Sequence, residues 1–407
     1  MAEAASARAA SAPVRPGLIV AAAAGILLSN NALRLSVSPF LEDFRVLFGV
    51  DYAGAGALLT AFFATYALTQ LPAGLAADRW DPKRVAMVGL VALGAAALVL
   101  ALTTSYPVAL AARAAMGVAG GLLFPTAMKL AVTATRGHGA ATGGVEAGQA
   151  LGTLIGFSLM PLLASISSVT AALVVLAVLP LVALGGVRAA VPSSPPVRRS
   201  SSRAALARLL RDRRFLALAA LGVIVLLVAY ASQGWFPTYL RTALGYSQGE
   251  TGWLMAVFTI VWSVATPLSG RFADRHGCHG RMLAVGALLC AGAFLVLLPG
   301  QRALALAALV LAGAGTGMCI ALLWALIAGR VAGQEAGVAI GLGNAIGQLA
   351  SASSGVLYGA LLDSTGTFAA IWTVAGVLAL LSAAGAVALG RSAATPAASG
   401  SPPPRKG

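Results

Sequence analysis

Twelve stretches of this 407-residue chain run for roughly 18–25 residues with hardly a charge, the length a helix rising 1.5 Å per residue needs to cross a bilayer. They lie near 17–41, 53–73, 85–104, 107–133, 141–164 and 169–187, and again near 215–239, 251–269, 282–299, 303–329, 337–361 and 368–389. A water-soluble core cannot absorb such a set. Hydrophobic residues make up 59% of the chain, charged ones 10%, and mean hydropathy is +0.89, so too little polar surface remains to cover a globule. The composition predicts an all-α membrane protein with twelve transmembrane helices in two bundles of six.

Charge orients the set. With a cytoplasmic N-terminus, the inside segments hold 21 of the 27 Lys and Arg, eight of them between 188 and 214, while only Arg45, Arg241 and Arg302 fall outside. That asymmetry follows the positive-inside bias and places both termini in the cytoplasm of a bacterial-type plasma membrane. It also accounts for the net charge of +15 without nucleic acid. The opening "MAEAASARAASAPVRPGLIVAAAAGILL" has the charge-then-apolar look of a secretory signal, but the apolar run continues and another follows, so it reads as an uncleaved first helix. The Pro-, Ser- and Arg-rich segment 188–214 reads as a linker, whose latter part, "RAALARLLRDRR", suits an amphipathic helix on an anionic lipid surface. The expected organisation is a tail at 1–16, a six-helix bundle at 17–187, the linker at 188–214, a second bundle at 215–389 and a disordered tail at 390–407. Three cysteines, Cys278, Cys290 and Cys319, show no paired or metal-ligand spacing.

The halves are related by repetition. "GLAADRWDPKR" at 74–84 and "GRFADRHGCHGR" at 270–281 place their Asp-Arg pairs 196 residues apart, each in the inside loop after the second helix of its half. "GGVEAGQALG" and "LGNAIGQLAS" align Gln149 with Gln348 at an offset of 199. Duplicated halves are a transporter signature. The two loops resemble the signature loop of the major facilitator superfamily: Gly74, Asp78, Arg79, Lys83 and Arg84 match in the first half, and Gly270, Asp274, Arg275, Gly277 and Arg281 in the second. Asp81 replaces a glycine of that signature. "RAAMG", from Arg113 to Gly117, resembles a second motif of the superfamily. The resemblance covers about residues 17 to 390 and implies two pseudo-symmetric six-helix bundles rocking about a midplane site. Physically, Gly74 and Gly270 suit close helix approach, and Asp78 or Asp274 suits capping of a neighbouring helix N-terminus. The arginines suit the last carbonyls of an adjacent helix or an acidic lipid. Such contacts form a cytoplasmic gate that holds only while those ends are packed. Simple topogenic charge accounts for the arginines alone.

A charge inside the bilayer costs about 2.5–3.5 kcal/mol on insertion scales, so each asks for a reason. Four stand in the predicted helices: Arg34, Arg113, Lys129 and Glu146. Arg34, past the midpoint of the first helix and one turn after Asn30 and Asn31, offers a planar fork for a carboxylate or phosphate, or else reaches helix carbonyls or Glu42. Arg113 suits substrate binding or helix orientation. Lys129 and Glu146 either pair with each other or leave Glu146 to exchange a proton. Tyr230, Gln233, Trp235, Trp262, Asn344 and Gln348 supply polar and aromatic groups from the second half, with Gln149 opposite, and Pro237 is expected to kink the seventh helix.

"RAAMGVAGGLLFPTAMKL" resembles the fourth helix of anion:cation symporters, and a first-helix arginine fits that group, where it binds the carboxylate of sugar acids. Gly120 stands where those proteins carry a protonatable Glu. The cyanate-permease-like group is a second likeness. One membrane arginine without a partner suggests a monoanion. The reading is therefore a secondary transporter of a small organic anion, acting as a monomer without cofactor and coupled to a proton or ion gradient. Its alternative is an exporter of a drug or other neutral metabolite. An enzyme is not expected: the helices hold one acid, and His138, His276 and His279 lie in loops without ligand spacing.

Overall fold

A computed structural model describes residues 16–134, 138–193, 207–329 and 335–391, with the side chains of 71, 74–79, 138–142, 335–340, 390 and 391 left aside. Among these residues all regular structure is helical, and twelve helices are long and apolar enough to cross a membrane. Span 1 is Pro16–Leu35, resumed after a break by Leu41–Phe48. Spans 2, 3 and 4 are Tyr52–Arg79, Pro82–Leu102 and Tyr106–Ala134. Span 5 runs from His138–Leu154 through a π-turn at Ile155–Leu159 into Met160–Ile166, and span 6 is Val169–Ala190. Spans 7 to 12 are Arg213–Thr242, Gln248–His276, His279–Leu297, Ala305–Ala328, Glu335–Thr365 and Phe368–Arg391. This is a multi-pass membrane protein. The face that carries the 193–207 connection is called the linker face below, and its opposite the far face. The predicted tails and most of the linker lie outside the described residues.

Two details depart from the predicted helices, each for a local reason. Pro39 cannot donate to the carbonyl of Leu35, so span 1 breaks over residues 36–40 where one unbroken helix to 41 was expected. Pro161 likewise withholds a donor from span 5, and the π-turn immediately before it absorbs the mismatch. Pro237 sits inside a helix that continues without interruption to Thr242.

The helices of one bundle meet through small residues, as packing in lipid requires. Span 5 lies so close on span 1 that a Cβ at Gly148, Gly152 or Gly156 would fall 2.3, 2.2 or 2.6 Å from the carbonyl oxygens of Ala24, Leu28 and Ala32. Span 11 lies on span 7 at the matching place, where a Cβ at Gly347 would fall 2.5 Å from the Leu226 side chain. Gly148 and Gly347 are 199 residues apart, so the sequence offset marks equivalent helix crossings.

Between bundles, packing is uneven. In the far half one apolar core runs through both bundles, joining Phe40, Phe44 and Phe62 to Trp235, Phe258 and Trp372. The linker half of the second bundle has a separate core of its own, built on Phe215, Leu283, Leu322 and Ile327. The far ends are also bolted by polar contacts. Asp43 pairs with Arg241, whose Nη2 donates to Asp43 Oδ1 at 3.2 Å. Ser38 Oγ donates to the carbonyls of Gln233 and Gly234 at 2.5 and 2.9 Å. Asp363 accepts from the first amides of span 2, Tyr52 N at 3.0 Å and Ala53 N at 2.8 Å. The molecule is sealed at its far face.

The signature loops sit at the linker face and end their helices differently. In the first, Asp81 accepts from Lys83 N at 3.0 Å and caps span 3, which explains an aspartate where the motif has glycine. Lys83 Nζ donates to the carbonyl of Arg188 at the end of span 6, 3.1 Å away. In the second, Gly277 takes the left-handed conformation, φ 61°, that closes span 8. The expected close approach at Gly270 is not present: a Cβ built there meets nothing within 4 Å. Asp274 is exposed and accepts from His279 Nε2 at 2.9 Å within its own loop, instead of capping a distant helix. Arg271, Arg275 and Arg281 are exposed. Gly74, Asp78 and Arg79 lie outside the described side chains.

Candidate substrate site

The site is built where the break in span 1 meets spans 2 and 4. A helix that stops at Leu35 leaves late carbonyls in need of donors. Arg113 supplies them from span 4: Nε donates to Leu58 O at 2.9 Å, Nη1 to Leu33 O at 3.1 Å and Nη2 to Arg34 O at 3.1 Å. Its guanidinium lies 4.7 Å over the Phe62 ring and the residue is 0% exposed. Of the two roles open to Arg113, these contacts match helix orientation: its fork is spent on backbone, and it fixes the main chain on which Arg34 stands.

Arg34 is the opposite case. It is half-buried, and its Nε is shut away from solvent without a hydrogen-bond partner. Among the described residues it makes no ion pair, and its Cζ lies over the Phe63 ring, 5.8 Å from the centroid. Glu42, the alternative partner, is held instead by Arg45 at 2.8 and 2.9 Å. Across the seam, Tyr230 of span 7 packs on Phe63 with ring centroids 4.5 Å apart and donates through its hydroxyl to Gln348 Oε1 at 3.0 Å. Tyr66, one turn along from Phe63, faces Arg34, Tyr230 and Gln70. Nearer the linker face, Asn344 Nδ2 donates to Gln70 Oε1 at 2.9 Å, joining spans 11 and 2. Arg34, Tyr230, Gln348 and Asn344 thus come together between the bundles.

The other expected site residues separate from this group. Asn31 is buried and donates to Gln149 O at 3.1 Å and Thr153 Oγ1 at 3.4 Å, tying span 1 to span 5, so it is a strut and not a ligand. Asn30 is also buried, its Oδ1 wedged against Gly120, where a Cβ would come within 2.4 Å of it. A side chain at position 120 and this rotamer of Asn30 cannot coexist. Gln233 and Trp235 are buried in the far-face seal, the Gln233 carbonyl under Ser38 and Trp235 beside Tyr52, ring centroids 6.3 Å apart. Trp262 is half-buried against Phe258 at 6.3 Å. Glu146 is exposed on the linker half of span 5, faces Gln149, and forms no ion pair with Lys129 among the described residues. Sequence reading missed Phe63, Tyr66 and Gln70, although a lone glutamine within an apolar span is a visible signal.

Two repeated bundles with a charged side chain held in the membrane between them define a transporter, a protein that binds small-molecule substrate within the membrane. The chain belongs to the Major Facilitator Superfamily, whose model matches residues 18–355 and again 236–406. Its fold is that of a bacterial homolog to the human lysosomal transporter Spinster, in an inward-facing and unoccupied conformation: TM-score 0.79 at 15% identity, over 94% of this chain and 98% of that one. The nucleoside transporter NupG superposes with TM-score 0.76 at 12% identity, over 92% of this chain and 99% of that one. In sequence, the chain is 28% identical over 323 residues to a chloramphenicol efflux pump of Mycobacterium tuberculosis, covering 76% of this chain and 74% of the relative. It is 27% identical over 281 residues to the Oryza sativa subsp. japonica protein named "Probable anion transporter 2, chloroplastic", covering 63% of this chain and 52% of that protein.

Proposed function

We propose that this transporter carries a small organic monoanion, bound by Arg34 between the bundles. One observation carries the reading: a guanidinium within a membrane span, with its Nε buried and unpartnered and no carboxylate paired to it among the described residues. Such a charge costs about 2.5–3.5 kcal/mol to insert, and a bound carboxylate is the partner that offsets it. The rice relative's name agrees with an anionic cargo. The linker face, with 21 of 27 basic residues, is the cytoplasmic face, and the sealed far face is external, so the molecule is open inward. Alternating access then moves the Arg34 site from one face to the other as the far seal parts. In a thermal-shift assay on the purified protein, short monocarboxylates and sugar acids are expected to stabilise it. Arg34→Ala is expected to abolish that stabilisation, and a shift that persists in the variant removes the anion site.

Glu146 is the proton carrier in this reading, because it is exposed toward the linker face and has no cation paired to it among the described residues. Uptake into proteoliposomes is expected to respond to an imposed pH gradient in the parent and to lose that response in Glu146→Gln. An unchanged gradient dependence excludes it.

A second reading, export of an uncharged compound, draws on the mycobacterial relative named as a chloramphenicol efflux pump. It requires that chloramphenicol protect cells expressing the protein and that protection survive Arg34→Ala.

A further inference from the structure

Gln70 is the residue that the anion reading leaves unused. Its Oε1 is held by Asn344 Nδ2 of the opposite bundle at 2.9 Å, which fixes the amide plane. Its Nε2 is buried and has no hydrogen-bond partner among the described residues, although the Tyr66 hydroxyl faces the same amide. Buried amide donors are almost always satisfied, so an orphan fixed in place by a cross-bundle bond marks a group waiting for an acceptor. The same is true of Arg34 Nε. The two lie along one wall: Phe63, Tyr66 and Gln70 follow at helical spacing on span 2, Arg34 covers Phe63, and the Tyr66 phenol faces both Arg34 and Gln70. From Phe63 to Gln70 the helix rises about 10 Å, the scale of a small molecule of a few carbons.

We infer that Gln70 is a second anchor for the cargo, and that the cargo is a monoanion bearing an uncharged hydroxyl at the end away from its carboxylate. This rests on the Arg34 reading and adds the chemistry of the opposite end. An amide is neutral, so it selects a neutral polar group over a second carboxylate. A hydroxyl meets either orientation of the amide, as acceptor from nitrogen or donor to oxygen. Asn344 positions Gln70, and because their bond crosses the seam, occupancy at Gln70 is felt by both bundles.

The test uses the full-length protein in nanodiscs with four probes: butanoate, hexanoate, 4-hydroxybutanoate and 6-hydroxyhexanoate. In the parent, a hydroxy acid is expected to bind about fivefold or more tightly than its unsubstituted counterpart. In Gln70→Leu that preference is expected to vanish, while affinity for the unsubstituted acids stays within about twofold. Asn344→Ala, which frees the Gln70 amide to rotate, is expected to give an intermediate preference and guards against a folding defect in the first variant. A preference that survives in Gln70→Leu overturns the inference. So does a parent that binds butanoate through Arg34 yet ignores the hydroxyl, and this outcome leaves the anion site standing. If no probe binds the parent, the Arg34 site falls and the Gln70 anchor with it.

Discussion

The Arg113→Ala variant is expected to melt on the order of 5 °C below the parent, and Arg113→Lys nearly as low, whereas Arg34→Ala melts at or above the parent temperature. The two arginines lie next to each other in space, and their sequence settings look alike, so the contrast is a sharp one. Arg113 gives three charge-assisted bonds to the carbonyls of Leu58, Leu33 and Arg34. Removing it leaves those carbonyls dry beside a volume that nothing fills, at about 1–3 kcal/mol for each buried unsatisfied group. Lysine cannot mend this, because one ammonium has no fork with which to reach carbonyls on two spans. Among the described residues the Arg34 side chain makes no hydrogen bond or ion pair, so alanine there removes an uncompensated charge from the membrane. The expected result is a loss of anion binding with no loss of fold. A large drop in melting temperature for Arg34→Ala would show that the guanidinium holds the structure together, and would place it with Arg113.

That contrast shows what can be read from a sequence of this kind. Twelve spans were legible because crossing a bilayer demands a length and an apolarity that little else imposes. The duplication was legible because the Asp-Arg loops and Gln149 with Gln348 recur at nearly one offset, and Gly148 and Gly347 at that offset mark where span 5 meets span 1 and span 11 meets span 7. The roles of the charges were not. Arg113 is satisfied by backbone carbonyls, which leave no mark in a sequence, and the break that frees two of them depends on Pro39, in a run that otherwise reads as helix. Asn31 sits one position from Asn30, about 100° around the helix, and that step turns one toward Gln149 and the other toward Gly120. Composition places a polar residue in a span without saying which way it faces.

The seal was hidden for a related reason. Asp43, Arg241 and Asp363 read as ordinary loop charges on the sparsely charged side, and nothing in the chain announces that residues 198 positions apart pair. Asp363 resembles in kind what the signature loops were expected to do at the other face, a carboxylate of one element capping the N-terminus of another, yet here it joins the two bundles. The gate visible in sequence lies at the linker face, and the contacts that join the bundles at the far face carry no motif.

Gly56→Leu is expected to force the far seal apart and shift the protein toward the state open at that face. Spans 2 and 11 cross here on their backbones: a Cβ at Gly56 would lie 2.0 Å from Gly355 O, and one at Gly355 would lie 2.2 Å from Gly56 O. Main chain at a crossing cannot swing aside as a side chain can, so the spans must separate. The bonds beside the crossing then go with it, from Val356 N to Thr60 Oγ1 at 3.3 Å and from the span 2 amides to Asp363. A reporter cysteine at Ser38, which is wholly buried in the seal, is read by a membrane-impermeant maleimide in a background where Cys278, Cys290 and Cys319 are serine. Labelling is expected to be about tenfold or more faster with Gly56→Leu, since about 1.4 kcal/mol moves such an equilibrium by a factor of ten. Asp363→Asn removes only the cap and leaves the crossing intact, so its rate should fall between the two. If Ser38→Cys labels no faster in a Gly56→Leu protein that is folded and inserted, the glycine crossing does not hold the seal. The two carboxylates, Asp43 and Asp363, would then have to hold it alone.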